Sequence, residues 1–329
     1  MIPSDSSREG DEAALSRLLE ARPNSIAAHI GMAGLHERAG REDLAIYFYR
    51  RGLKLAECQD RQQDIEEELE RALEALRSLE SRDHARRKAR LAERGLPEDR
   101  WSPGLREALD IAGGRRKVYL QEPTAFTYPG LAAIQFFDPS EFGWVPAIEA
   151  AFPAIRQELL DLLQTHAEDF RGYVQHNTVA PEANRALLGS KDWSILPLCE
   201  NGWLAPKIVE RCPRTWEAVL QAPLPRISGW GPTVVFSLLR AGARIAPHSG
   251  MYNTRLICHL PLIVPPGCRF RVGNEAREWE EGKLLIFDDT IEHEAWNDSN
   301  DDRIVLIFDI WRPELSEQER FELTALFSD

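Results

Sequence analysis

The reading that decides the fold lies between Ser237 and Trp311. It contains APHSG (Ala246–Gly250), NTRLICHL (Asn253–Leu260), EEGKLLIFDDTIEHEAW (Glu280–Trp296) and DDRIVLIFDIW (Asp301–Trp311). Short apolar runs recur through and around it, at Val234–Leu239, Leu256–Ile263, Cys268–Val272, Lys283–Phe287 and Ile304–Ile310, each bounded by Gly, Pro, Asn or Asp. Short strands at near-regular spacing predict an antiparallel barrel or a double-sheet jelly roll. Helical patterns precede these strands instead of alternating with them, which argues against a doubly wound parallel sheet. The expected class is α+β.

Two histidines stand out. His248 and His293 each lie just past an apolar run, and Arg303 opens a further one. Imidazole suits Fe, Zn and Cu, and a site with open positions suits oxygen chemistry. Two imidazoles with an arginine beyond could hold divalent iron and a dicarboxylate together. The usual non-haem iron site adds a carboxylate, normally two residues after the first histidine, and here that position is Gly250. By spacing alone the motif is incomplete, and a histidine beside a strand is also an ordinary hydrogen-bonding group.

Arg303 heads the run IVLIFDI, so its guanidinium is expected in the interior or at a cavity mouth, where it needs an anion. That anion is Asp288, Asp289 or Asp309, or else a ligand carboxylate held bidentately. Ser237, in VVFSLLR, places a hydroxyl in an apolar strand, where it wants a hydrogen bond.

Working outward toward the N-terminus, residues 10–22 read as a helix with Leu15, Leu18 and Leu19 on one side. Ser25–Ala39 and Arg41–Glu57 read as a helical pair turning at Gly40. Ala33, His36, Gly40, Ala45, Tyr49 and Gly52 make that pair resemble one tetratricopeptide repeat. Asp60–Glu93 reads as a charged helix with a stripe at Ile65, Leu69, Leu73, Leu76 and Leu79. Gly95, Pro97 and Ser102–Gly104 mark a boundary, dividing a helical region, 1–98, from the domain 99–329. A helix at Leu105–Ala112, a strand at Lys117–Leu120, a loop at Phe126–Leu131 and a helix at Trp144–His166 follow. Residues 170–202 read as an irregular binding loop carrying Tyr173, Gln175, His176, Asn177, Lys191, Asp192 and Trp193. Trp203–Gln221 reads as helical.

The 329 residues allow two domains. The formal net charge of −13 disfavours nucleic acid and anionic membrane surfaces as partners. MIPSDSSREGDEA has neither a basic nor an apolar leader region, and no apolar run reaches the ~20 residues of a spanning helix. Cys58, Cys199, Cys212, Cys258 and Cys268 show no CxxC spacing and read as reduced cytoplasmic thiols, with a Cys199–Cys212 bridge left open.

SLLRAGARIAPHSG, NTRLICHLPLIVP, GNEAREWEEGKLLIFDDTIEHEAWN and DRIVLIFDIWRPEL together resemble the core of the aspartyl/asparaginyl β-hydroxylase family. These are Fe(II)- and 2-oxoglutarate-dependent oxygenases with a double-stranded β-helix (jelly-roll, cupin-like) fold. The likeness covers residues 120–315 and is strongest from 228 onward. The family is similar in lacking the third carboxylate ligand, so Gly250 becomes a match. The resemblance implies His248 and His293 as iron ligands, and Arg303 and Ser237 on the distal carboxylate of 2-oxoglutarate. It puts His259 at the metal-proximal end of that co-substrate and Arg255 on an acidic group of the substrate. Asp289 would order an iron-bound water. Members that act on aspartate in protein domains carry a second arginine where this chain has Ile257, which puts that specificity in doubt.

The implied reaction consumes O2 and 2-oxoglutarate and hydroxylates an unactivated C–H, such as the β-carbon of an Asp- or Asn-like residue in a peptide, protein or small molecule. The helical region would recruit a protein partner or self-associate. Two other readings stand beside this one. One is a non-catalytic binding module on a cupin-like barrel, and the other a zinc hydrolase, for which two histidines fall short of the usual three ligands. Trp279, Trp296 and Trp311 read as core aromatics.

Overall fold

A computed structural model describes residues 5–57, 65–174 and 182–328. The chain divides into two compact units, Met1–Lys117 and Val118–Asp329.

The first unit holds α1 (Asp5–Ala21), α2 (Ile26–Arg38), α3 (Glu42–Glu57), α4 (Glu66–Glu93) and α5 (Pro103–Ala112). Ser25 caps α2 by accepting from the Ala28 amide at 3.3 Å. Gly40, at φ +72°, makes the turn into α3. α2 and α3 meet through small residues. A Cβ on Gly52 would lie 3.2 Å from His29 Cβ and from Ile30 Cγ1, so nothing larger fits without movement. α4 adds Ala72, Leu76 and Leu79 to Ala33, Ala45 and Tyr49. Leu73, expected in the buried stripe, is 38% exposed, because the contact runs through Ala72 instead. The unit reaches Lys117 because α5 is tied back into it. Arg50 donates to Glu80 Oε1 at 2.7 Å and to the Ala112 carbonyl at 2.6 Å.

The second unit is two antiparallel sheets. Its strands are β1 (Phe136–Phe137), β2 (Arg171–Gly172), β3 (Trp193–Glu200), β4 (Trp203–Leu204), β5 (Val234–Leu239), β6 (Arg244–His248), β7 (Arg255–Ile263), β8 (Cys268–Val272), β9 (Glu275–Glu278), β10 (Leu285–Phe287), β11 (His293–Asn297) and β12 (Arg303–Trp311). The larger sheet runs β1-β10-β7-β12-β5-β3-β2 with β4 beside β3, and the smaller runs β6-β11-β8-β9. This is the double-sheet jelly roll expected from the strand spacing.

Strand periodicity places the site. On β12, Ile304, Leu306, Phe308 and Ile310 pack outward with Ile148, Ile155, Leu159 and Leu162 of α6 (Val145–Ala150) and α7 (Phe152–Thr165). Val305 and Ile307 turn inward with Ile245, Phe270, Val272 and Ala295 of the smaller sheet. Successive side chains alternate faces, so Arg303 and Asp309 also face inward. The same alternation turns Leu256, Cys258 and Leu260 of β7 outward, and Arg255, Ile257 and His259 inward. On β5, Val234, Phe236 and Leu238 go outward, Ser237 inward. Burying both faces is why these strands read as continuous apolar runs.

Several expectations are corrected. Lys117–Leu120 forms no strand; Val118 and Leu120 stand 55% and 62% exposed, with no sheet edge to bury them. Trp144–His166 is two helices broken at Ala151, since Pro153 lacks the amide needed to continue the ladder. Trp203–Gln221 is split by Pro206 and Pro213 into β4, α8 (Pro206–Val209) and α9 (Pro213–Val219). The stretch 170–202 is not all loop, because it contains β3, which pairs with β5. Pro197 disguises that strand, and its missing amide is absorbed where the register shifts between Pro197 and Cys199. Cys199, Cys212, Cys258 and Cys268 are free and buried; Cys58 lies outside the described residues.

Candidate active site

β6 ends at His248 and β11 begins at His293, and the two residues are register partners. Their ring centroids lie 4.1 Å apart. Each ring is held the same way. His248 Nδ1 donates to the Ala246 carbonyl at 2.9 Å, and His293 Nδ1 to the Ile291 carbonyl at 3.1 Å. A carbonyl only accepts, so the proton of each neutral ring sits on Nδ1 and each Nε2 carries a lone pair. Burial lowers the pKa of both, and the neighbouring His248 lowers that of His293 further. The result is two neutral imidazoles side by side, each with a lone pair on Nε2, an arrangement suited to a divalent metal. Among the described residues no third His, Cys, Asp or Glu completes a metal cluster.

The expected carboxylate position is closed. A Cβ on Gly250 would lie 2.1 Å from Asp289 Oδ2 and 2.3 Å from its Cγ. Asp289 is buried, and its Oδ1 has no hydrogen-bond partner. Burial, opposed by Arg255, pushes its carboxyl up to about 7, with Asp288 and Asp309 adding to the rise. The preceding residue anchors the turn. Asp288 pairs with Arg312 at 2.7 Å, both side chains fully buried, and accepts from the Thr290 amide at 3.0 Å.

Arg303 answers the question its strand raised. It is 1% exposed, yet among the described residues it pairs with no carboxylate, and its Nε and Nη1 have no partner. Asp288 is taken by Arg312, and Asp309 by Arg255 at 2.9 Å. Burial lowers the Arg303 pKa to about 10. Its guanidinium carbon lies 4.7 Å from the centre of the Trp279 ring. Ser237 is two positions along β5 from Leu239, the register partner of Arg303. Its Oγ accepts from Trp193 Nε1 at 3.2 Å, leaving its own proton to donate. His259 shares the inner face, and its Nδ1 lies 3.4 Å from Trp279 Nε1.

Arg255, which the resemblance put on an acidic group of the substrate, already has an anionic partner. Asp309 neutralises it, and its guanidinium sits 5.3 Å from the Trp230 ring and 5.2 Å from Tyr252. Its Nε is buried without a partner. Ile257, across from Asp309 in the register, and Ile307 are the partly exposed apolar residues of the inward face of β7 and β12. Of the loop residues, Trp193 lies 6.1 Å from His248, and the Tyr173 ring meets that of Trp193 at 4.3 Å, tilted by 34°. Lys191 instead pairs at the surface with Glu168, and Asp192 is exposed. Gln175, His176 and Asn177 lie outside the described residues.

Two participants were not legible in the sequence. Trp279 looked like a core aromatic, and only its N–H partner marks it; Trp193, expected in the binding loop, lies on β3 and donates to Ser237. Arg312 lies in a charged turn, WRPEL, where nothing signals full burial.

The family model described as aspartyl/asparaginyl beta-hydroxylase matches residues 149–313. The human aspartyl/asparaginyl beta-hydroxylase is 34% identical over 202 residues, 60% of this chain. The chain spans only 25% of that relative's length. The ornithine lipid ester-linked acyl 2-hydroxylase of Rhizobium tropici is 32% identical over 235 residues, 70% of this chain and 77% of that protein. A cupin domain of an Enterobacter cloacae transcriptional regulator overlaps 37% of this chain and 98% of its own at 11% identity, with a TM-score of 0.25.

Proposed function

The chain belongs to the aspartyl/asparaginyl beta-hydroxylase family, and from that premise we propose that its second unit hydroxylates an unactivated C–H using Fe(II), 2-oxoglutarate and O2. The observation that carries the reading is Arg303: a buried guanidinium with two unpaired N–H donors and no carboxylate partner among the described residues. Leaving such a group unpaired is expensive, and a ligand carboxylate removes the expense.

His248 and His293 would hold the metal through their Nε2 atoms, since each Nδ1 is engaged. Bound there, Fe(II) would activate O2, the oxidant, with 2-oxoglutarate and the substrate C–H each giving two electrons. The chain's own residues do the rest. Arg303 and Ser237 receive the distal carboxylate, His259 the proximal end. Asp289 offers an unpaired oxygen to a water beside the metal. The apolar wall formed by Phe270, Phe287 and Ile291 excludes bulk water.

Arg255 with its free Nε fits a substrate acceptor, as an Asp- or Asn-like residue would present. A second substrate class is favoured by Ile257 and Ile307. With Asp309 already on Arg255 and two isoleucines on the inward face, an aliphatic chain also suits the site, and the Rhizobium relative is named for an acyl chain. A cytoplasmic setting and a partner-recruiting or self-associating role for the helical unit belong to the same proposal. Among the described residues, no helix is long and apolar enough to cross a membrane.

The test is calorimetric binding of 2-oxoglutarate to anaerobic protein loaded with Mn(II), beside metal-free protein and Arg303→Ala. Metal-dependent binding lost in the variant is the expected result. A folded protein that binds in no form leaves the binding-module reading. Iron- and O2-dependent succinate release would eliminate that module.

A further inference from the structure

We propose that Trp279 is a positioning residue: one indole fixes which nitrogen of His259 carries the proton and, with its face, where the Arg303 guanidinium sits. This rests on the reading of Arg303, Ser237 and His259 as the residues that hold 2-oxoglutarate.

Trp279 follows β9, and only 6% of it is exposed. It stacks on Phe270 with centroids 5.4 Å apart and planes 21° apart. Phe270 in turn meets Phe287 at 4.7 Å. An indole packed this tightly cannot turn without disturbing its neighbours.

Its Nε1–H can only donate. The acceptor within reach is His259 Nδ1 at 3.4 Å. That nitrogen must therefore carry the lone pair. Burial, with Arg303 adding to it, keeps the His259 pKa well below the usual value, so the ring is neutral and its proton is on Nε2. No hydrogen-bond partner for that Nε2–H exists among the described residues, so it is free for a ligand acceptor.

This tautomer is the reverse of the one at His248 and His293. Those rings donate from Nδ1 and present lone pairs at Nε2. His259 presents a proton. Of three histidines facing one inter-sheet space, two are therefore built to bind a metal, and the third is built to donate to a carboxylate and cannot compete for the ion. The same indole faces Arg303 at 4.7 Å. It supports the cation from below and leaves Nε and Nη1 unpaired. A neutral donor and a charged donor to one anion are thus both referred to a single ring.

The experiment compares full-length wild type with Trp279→Phe, which keeps the aromatic face and removes the N–H, and with Trp279→Leu, which removes both. Metal-free protein labelled with nitrogen-15 histidine is examined by long-range proton–nitrogen correlation, with His259→Gln assigning the resonance. The expected result is an Nε2–H tautomer in wild type that is lost or mixed in Trp279→Phe. An Nδ1–H tautomer in wild type overturns the proposal. In the second arm, 2-oxoglutarate is titrated into Mn(II)-loaded protein. Trp279→Phe should weaken binding roughly three- to tenfold, about one neutral hydrogen bond. Trp279→Leu should weaken it further, with Mn(II) affinity held. Unchanged affinity in both variants overturns the proposal. If wild type binds no 2-oxoglutarate, the hydroxylase reading fails and the tautomer arm alone decides the role of Trp279.

Discussion

The carboxylate of Asp289 occupies the space that any side chain at Gly250 would need, with Oδ2 only 2.1 Å from the position of a Cβ there. The two positions are one unit. A ligand carried on residue 250 and the carboxylate of residue 289 exclude each other.

Gly250→Asp is therefore expected to weaken Mn(II) binding instead of completing a three-ligand site. Overpacking of this kind also lowers stability by about 1–3 kcal/mol. Gly250→Asp combined with Asp289→Gly should regain both. Calorimetry with Mn(II) and thermal melting of the four proteins check this, and a gain in metal affinity by the single variant would show the overlap to be tolerated.

Arg303 should be a residue that folding does not need. Replacing a buried, unpaired charge with an apolar side chain of similar length removes a desolvation penalty. Metal-free Arg303→Met is expected to be as stable as wild type or more stable, by about 1–2 kcal/mol. Its 2-oxoglutarate affinity should fall by roughly a hundredfold, the loss of a charge-assisted bidentate contact. Denaturant melts beside ligand titrations separate the two effects. A large loss of stability would mean that the arginine has a structural partner.

The Asp289 carboxyl predicts a pH dependence. Its folded pKa, about 7, lies above its ordinary 3.8, so the folded state holds the proton more tightly than the unfolded one. Metal-free protein should lose stability as pH rises from about 4 to about 7. Integrated over that window the loss is at most about 4 kcal/mol. Asp289→Asn should be the more stable protein at pH 8, and the difference should vanish below pH 4. Melting curves across that range read the difference directly.

Arg312 and Asp288 make the contrasting case, a fully buried pair at 2.7 Å with both partners present. Arg312→Ala strands Asp288 and should cost about 3–5 kcal/mol. The turn that carries Asp289 should loosen as well. Urea denaturation gives the first effect. A weaker Mn(II) affinity in the surviving folded protein gives the second.

What could be read from the residues alone was whatever depends on neighbours along the chain. Five apolar runs bounded by turn formers specify strands, since a pleated chain alternates its faces every residue and short buried strands need both faces apolar. His248 and His293 were legible as side chains just past apolar runs, although the strands that hold them, β6 and β11, were not among the five, and Arg303 as a charge too deep to be idle. Where the local rule was broken by a proline, at Pro197, Pro153 and Pro213, the element was misread, because whether a chain bends, bulges or restarts there depends on what it packs against.

Tertiary structure alone decided how the charges are divided. Asp288, Asp289 and Asp309 are equally plausible partners for Arg303 in one dimension. Folding gives the first to Arg312 and the third to Arg255, and leaves Asp289 against Gly250, so among the described residues Arg303 pairs with no carboxylate. An ion pair depends on separations of a few ångströms between residues dozens of positions apart. Strand order and register set those separations, and no local pattern encodes them. The tautomers follow the same logic: a nitrogen's proton is placed by the group opposite it, and only the packed sheets bring that group there.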